Sequence, residues 1–267
     1  MERNNKRWGF LMALGIMLLF WAVEYGILML AFGIKAVILA SMGKEVTLND
    51  DVSTLQIFVT LASTVVFLWI AWAKKWVLPE DYRKKGMPGI HALLLVVMLL
   101  GTSFGVSTLA EFMGLPDFAG DIIESMVGNP WGVLAISIVG PIGEELLFRE
   151  TAIPLLQKNG WSASGAIFIS ALLFGITHMN PVQIFYAGIL GLMLGWVFVR
   201  TKSILPCMGL HILNNLLSVI LFYCSDTPDA TYVEMFGTIG AVCIMTAGLV
   251  TAGLIFCYLR NRLKEMY

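Results

Sequence analysis

Charge is scarce in this chain. Asp, Glu, Lys and Arg make up only 13% of its 267 residues, about half of the roughly 25% found in ordinary soluble proteins. The 18 acidic and 17 basic residues nearly cancel, to a net charge of −1. No run of like charge forms a tail and no basic field is available to hold a polyanion, which excludes nucleic-acid binding. Cysteine is also sparse. Cys207, Cys224, Cys243 and Cys257 lie within or beside apolar runs, and none forms a CxxC pair. A zinc knuckle and a thioredoxin-type redox pair are thereby excluded, and the four are expected to be buried small hydrophobes. HExxH is missing as well, and neither GxSxG nor a Ser-Lys dyad stands in its usual context, so the usual soluble-protease solutions do not compete.

What is present in abundance is hydrophobicity, at 58% of residues against roughly 45–50% in soluble chains. A protein built for lipid has no solvated shell to furnish with charge, so composition points to a polytopic membrane protein. A hydrocarbon core of ~30 Å needs about 18–25 residues of helix. Eight such stretches can be drawn, over roughly 9–33, 54–73, 90–110, 131–156, 161–178, 182–199, 203–222 and 235–259. The first continues past residue 30 without a small-x-small cleavage site, and reads as a retained helix rather than a signal peptide. The expected fold is all-α, a membrane helical bundle of about eight transmembrane helices. Three N-terminal helices fall in 1–126, a core in 127–222, and a last helix with a short tail in 223–267. No feature of the sequence specifies an oligomeric state.

Lys and Arg alternate from connection to connection. They collect at Arg3, Lys6 and Arg7, at Lys74, Lys75, Arg83, Lys84 and Lys85, at Lys158, at Arg200 and Lys202, and at Arg260, Arg262 and Lys264. The intervening connections are acidic or neutral, with Asp50 and Asp51, then Glu111, Asp117, Asp121 and Glu124, then Asp226, Asp229 and Glu234. Cytoplasmic loops gather positive charge, so both termini are expected on the cytoplasmic side.

With the loop charges set aside, a few ionisable groups remain where lipid should have removed them. A charge at the bilayer centre costs at least about 2.5–3.5 kcal/mol, so such residues face cavities and mark function. The fourth stretch holds Glu144, Glu145, Arg149 and Glu150. On a helix Glu145 and Arg149 are four apart with the Glu first, the favourable order for an ion pair. Glu144 is turned about 100° away and left to face whatever the bundle encloses. A structural Glu-Arg pair alone would be the simpler account, but two of the three histidines follow downstream. His178 comes four residues after Phe174, so ring and imidazole share a face, and His211 has Asn215 one turn on.

A carboxylate, two imidazoles and a carboxamide can hydrolyse an amide. Glu144 takes a proton from water with the help of one histidine, while the other histidine and Asn215 donate to the developing oxyanion. The same Glu144, His178 and His211 could instead hold zinc with an open position. Glu24, in the first stretch, is a further intramembrane carboxylate, suited to an interhelical hydrogen bond or to a substrate path.

The three motifs, Glu144-Glu145-Leu-Leu-Phe-Arg149, Phe174-Gly-Ile-Thr-His178 and His211-Ile-Leu-Asn-Asn215, make the chain resemble the CaaX-protease and bacteriocin-processing family (CPBP, or Abi). The resemblance covers about 127–222; the flanking parts match only as apolar spans. It implies an intramembrane endopeptidase in which Glu144 is the activating carboxylate and His178 its partner. His211 and Asn215 stabilise the oxyanion, with Glu145, Arg149 and Phe174 in support. Family members have been described both as metal-independent glutamate proteases and as metalloproteases. The first is favoured here because a carboxamide suits an oxyanion better than a metal, which makes a resident cofactor unnecessary and zinc the alternative. The implied substrates are membrane-associated peptides or proteins (CaaX-type termini, leader peptides, bacteriocins or pheromones), and the implied setting is the bilayer of a bacterial plasma membrane. A non-catalytic membrane protein, either a transporter or an immunity or scaffold member of the same family, is the competing reading.

Overall fold

The computed structural model describes residues 2–43, 52–73, 89–224 and 230–265, and all regular structure among them is helical. α1 (Glu2–Ser41), α2 (Val52–Ala73) and α3 (Gly89–Phe112) are long; α4 (Gly120–Val127) is short. A 29-residue span, Pro130–Lys158, follows. It is built from α5 (Pro130–Leu134), a π-helical turn (Ala135–Val139), α6 (Gly140–Glu145), a second π-helical turn (Leu146–Ala152) and α7 (Ile153–Lys158). The chain continues through α8 (Ala163–Thr177), α9 (Pro181–Thr201), α10 (Leu205–Cys224) and α11 (Tyr232–Glu265). The protein is an integral membrane helical bundle. Among the described residues seven helices are long and apolar enough to cross a bilayer.

The eight expected spans thus resolve into seven long ones and α8. With 15 residues, α8 reaches about 22 Å, short of a ~30 Å core. Both ends have local causes. The Ser162 side chain caps the start by accepting from the Gly165 N–H at 3.1 Å, which leaves Trp161 and Ser162 outside the helix. At the other end His178 is the cap, Met179 takes φ +52° and Pro181 opens α9.

Leu99, Phe148, Ile153, Leu156, Phe174, Leu194 and Val197 are almost wholly buried and join α3, the Pro130–Lys158 span, α8 and α9 into one core. Trp72, Ile239 and Leu254 stand exposed on the outside, where lipid replaces protein as the apolar solvent. Of the four cysteines only Cys207 is buried; Cys224, Cys243 and Cys257 are exposed. Their apolar surroundings are the outer surface of the bundle rather than its core, which corrects the expectation from sequence. α3 and α11 approach backbone to backbone: a Cβ on Gly101 would meet the Gly248 carbonyl oxygen at 2.7 Å. Small residues four apart (Gly101 and Gly105) permit this contact in a membrane bundle. The connections holding Asp50 and Asp51, Lys74 to Lys85, and Asp226 and Asp229 lie outside the described residues.

Candidate active site

The two π-helical turns flank the carboxylate pair, and each runs into a proline: Ala135–Val139 into Pro141 and Leu146–Ala152 into Pro154. Proline lacks the N–H that would close a regular turn, and its ring crowds the preceding carbonyl. Widening the helix relieves that conflict without breaking the span. The Gly140 N–H donates to the Ala135 carbonyl five residues back, and Thr151 Oγ1 donates to the Leu146 carbonyl at 2.9 Å, again five back.

Between these turns Glu144 and Glu145 separate as their spacing predicts. Glu145 and Arg149 are both wholly buried, and Arg149 Nη1 lies 3.2 Å from Glu145 Oε1. The guanidinium also stacks on Phe174, its carbon 4.3 Å from the ring centroid, a contact that compensates a desolvated cation. Glu144 retains about a fifth of its surface (22%) and faces the interior cavity.

Phe174 connects the pieces. Its ring meets His178 edge to face at 5.1 Å and His211 at 5.7 Å. His178 Nδ1 lies 3.1 Å from the Phe174 carbonyl oxygen. A carbonyl can only accept, so that nitrogen carries the proton, and in the neutral ring Nε2 is left as an acceptor. The end of α8 is tied down from two directions. Trp21 Nε1 of α1 donates to the Thr177 carbonyl at 3.3 Å. Buried Asn180 accepts from the Phe118 N–H at 3.0 Å and donates to Asp117 Oδ1 at 2.9 Å. The shortness of α8, together with these ties, brings His178 level with His211.

His211, on α10, sits between the two glutamates: Nδ1 is 2.9 Å from Glu145 Oε1 and Nε2 is 3.6 Å from Glu144 Oε2. Glu145 therefore neutralises Arg149 and orients the His211 ring, a role that spacing alone does not reveal. Asn215 Nδ2 donates to the Ile136 carbonyl at 2.8 Å, within the first π-helical turn. Asn214 Nδ2 donates to Asn215 Oδ1 at 3.1 Å, and Asn214 Oδ1 accepts from Ser103 Oγ at 2.7 Å and Tyr186 Oη at 2.6 Å. Ser103 and Tyr186 escape sequence reasoning because a hydroxyl in an apolar helix is ordinary.

Glu144, His178, His211, Asn215, Asn214 and Tyr186 all line one cavity of about 840 Å³. Glu24 lies on the same wall and accepts from Ser63 Oγ of α2 at 3.4 Å, so it makes the interhelical bond and borders the cavity too. Among the described residues no three His, Cys, Asp or Glu side chains converge as a metal-ligand set. The arrangement offers a partly buried carboxylate, an imidazole acceptor and an amide donor around one space.

An all-helical membrane bundle with paired carboxylates and histidines converging below its surface defines the class. Within it, residues 126–217 match the family model described as type II CAAX prenyl endopeptidase Rce1-like. The chain is 28% identical over 128 residues to CAAX prenyl protease 2 of Arabidopsis thaliana, covering 40% of this chain and 41% of that one. It is 28% identical over 106 residues to the probable CAAX prenyl protease 2 of Schizosaccharomyces pombe (32% and 39%). It is 30% identical over 119 residues to the putative membrane peptidase YdiL of Bacillus subtilis (44% and 46%). The chain spans less than half the length of each of these curated relatives. No solved structure matches. The resemblance to the CPBP membrane-protease family carried by the three motifs is borne out over the stretch that holds them.

Proposed function

We propose that the protein is an intramembrane endopeptidase that hydrolyses peptide bonds of membrane-associated peptides or proteins by a metal-independent glutamate mechanism. The observation that carries this reading is the convergence of Glu144, His178, His211 and Asn215 from three separate segments on one cavity. Water lodged between Glu144 and His178 Nε2 loses a proton to Glu144 as its oxygen attacks the scissile carbonyl. The carbonyl oxygen becomes an oxyanion that accepts from Asn215 and from the Nε2–H of His211, which acts with both ring nitrogens protonated because its Nδ1–H is given to Glu145. Glu144 then returns the proton to the departing amine nitrogen as the C–N bond breaks. Arg149 and Glu145 hold the ring of His211 in place, and Phe174 spaces the two imidazoles.

The substrates proposed are those of the relatives and of the family: CaaX-type termini, leader peptides, or bacteriocin and pheromone precursors. The alternation of Lys and Arg between connections supports cytoplasmic termini, and the Bacillus subtilis relative supports a bacterial plasma membrane.

The test is turnover by the full chain in detergent, with an internally quenched farnesylated CaaX peptide and a panel of quenched apolar membrane peptides. Glu144→Ala, His178→Ala and His211→Ala are each expected to lose at least about 10²-fold in kcat. Equal turnover by all four proteins overturns the assignment.

A further inference from the structure

The hydrogen bonds around Asn215 form a chain whose polarity is set from one end. The Ile136 carbonyl can only accept, so Asn215 must present Nδ2 to it, at 2.8 Å. That choice turns Asn215 Oδ1 toward Asn214, which must therefore answer with its own Nδ2, at 3.1 Å. Asn214 Oδ1 is in turn directed at α3 and α9, where it receives Ser103 Oγ at 2.7 Å and Tyr186 Oη at 2.6 Å. Those two hydroxyls fill both lone pairs of the amide oxygen. Flipping either amide would set oxygen against oxygen at one of the links. Asn214 and Ser103 are buried at the wall of the cavity, and a water taking the place of a lost hydroxyl would not be fixed to a helix as the two donors are.

We infer that Tyr186 and Ser103 are positioning residues for the peptidase reaction: by donating to Asn214 they lock the Asn215 carboxamide so that its second N–H is held toward the cavity as an oxyanion donor. The inference rests on the peptidase reading of this site. An amide has two N–H groups. Ile136 takes one, and the other remains for the cavity that Asn215 lines. Removal of a hydroxyl leaves a buried acceptor short of a donor and frees the paired amides to rotate. The loss falls on the step at which negative charge appears, because the donor is worth most there.

The experiment compares the wild-type full chain with Tyr186→Phe, Ser103→Ala and Asn215→Ala, each alone and combined, on whichever quenched peptide of the panel the wild type cleaves. Tyr186→Phe removes only the hydroxyl. It is expected to lower kcat about tenfold with KM unchanged within about twofold, and Ser103→Ala to act in the same direction. In the Asn215→Ala background Tyr186→Phe is expected to change kcat by less than about twofold, since residues acting as one unit are not additive. A full tenfold loss in that background, or no loss from either single variant, overturns the inference. A second readout needs no turnover. With isotope-labelled asparagine, Tyr186→Phe is expected to shift the side-chain amide resonances of both Asn214 and Asn215, and an unmoved Asn215 signal overturns the inference. If the wild type cleaves nothing, the peptidase reading fails while the resonances still decide the chain of orientation. Should Tyr186→Phe fail to fold, Ser103→Ala carries both measurements.

Discussion

Glu145 Oε1, which lies 2.9 Å from His211 Nδ1, is the same oxygen that Arg149 approaches at 3.2 Å. One carboxylate oxygen thus serves a structural cation and a reactive imidazole, so charge balance in the core and orientation at the site depend on the same atom.

Removing Arg149 leaves Glu145 buried without its cation. Arg149→Ala is expected to cost about 3–5 kcal/mol, because a stranded buried charge is far more expensive than a broken surface pair. Arg149→Lys should recover only part of it, since an ammonium does not reproduce the planar stacking of the guanidinium on Phe174. Thermal unfolding in detergent measures both; equal melting temperatures for Arg149→Ala and wild type would contradict the expectation.

Phe174→Leu keeps an apolar side chain but removes the ring that Arg149, His178 and His211 share. The expected stability loss is about 2–4 kcal/mol. The expected loss in kcat is larger than tenfold, on the order of 10², because both imidazoles lose their spacer. Turnover per folded molecule, read against a ligand-independent measure of folded protein, separates the two effects.

Gly175 packs directly on α9: a Cβ there would meet the Ile184 carbonyl oxygen at 2.7 Å. Gly175→Ala is expected to push α8 outward at a cost of about 1–3 kcal/mol and to displace His178, three residues further on. Steady-state kinetics should show kcat falling about tenfold; an unchanged kcat would mean that His178 is held by its turn alone.

Chelation gives a fourth outcome. Because the donors of this site do not form a ligand set, turnover is expected to survive phenanthroline and EDTA within about twofold, whereas a zinc-activated water would be lost with its metal. Stoichiometric zinc whose removal abolishes turnover and whose return restores it would reverse the mechanism.

Most of the architecture was legible because lipid imposes strict rules: length, apolarity and the scarcity of charge marked all seven long spans. Apolar composition makes α8 equal to the other stretches because it does not record where a helix is capped; the cap at Ser162 and the turn at Met179 make it the short member of the eight. The Glu145–Arg149 pair and the shared face of Phe174 and His178 followed from helical spacing, which operates within one segment. The placement of His211 against both glutamates, and the chain from Tyr186 to Asn215, depend on how separate helices meet. Sequence spacing is silent there. Pro141 and Pro154 were visible inside an apolar run, yet their effect, two widened turns in place of kinks, needed the neighbouring helices to settle it.

Those widened turns also mark where the span can change length and where it cannot. A π-helical turn fits one more residue into a turn than the α-helix does, so loss of one residue from Ala135–Val139 would close it to a plain helix with Glu144 still turned to the cavity. Loss of a residue from the regular turn at Gly140–Gly143 would instead rotate the carboxylate pair by about 100° against everything that precedes it. For this stretch of the chain, where a residue is lost matters as much as which residue it is.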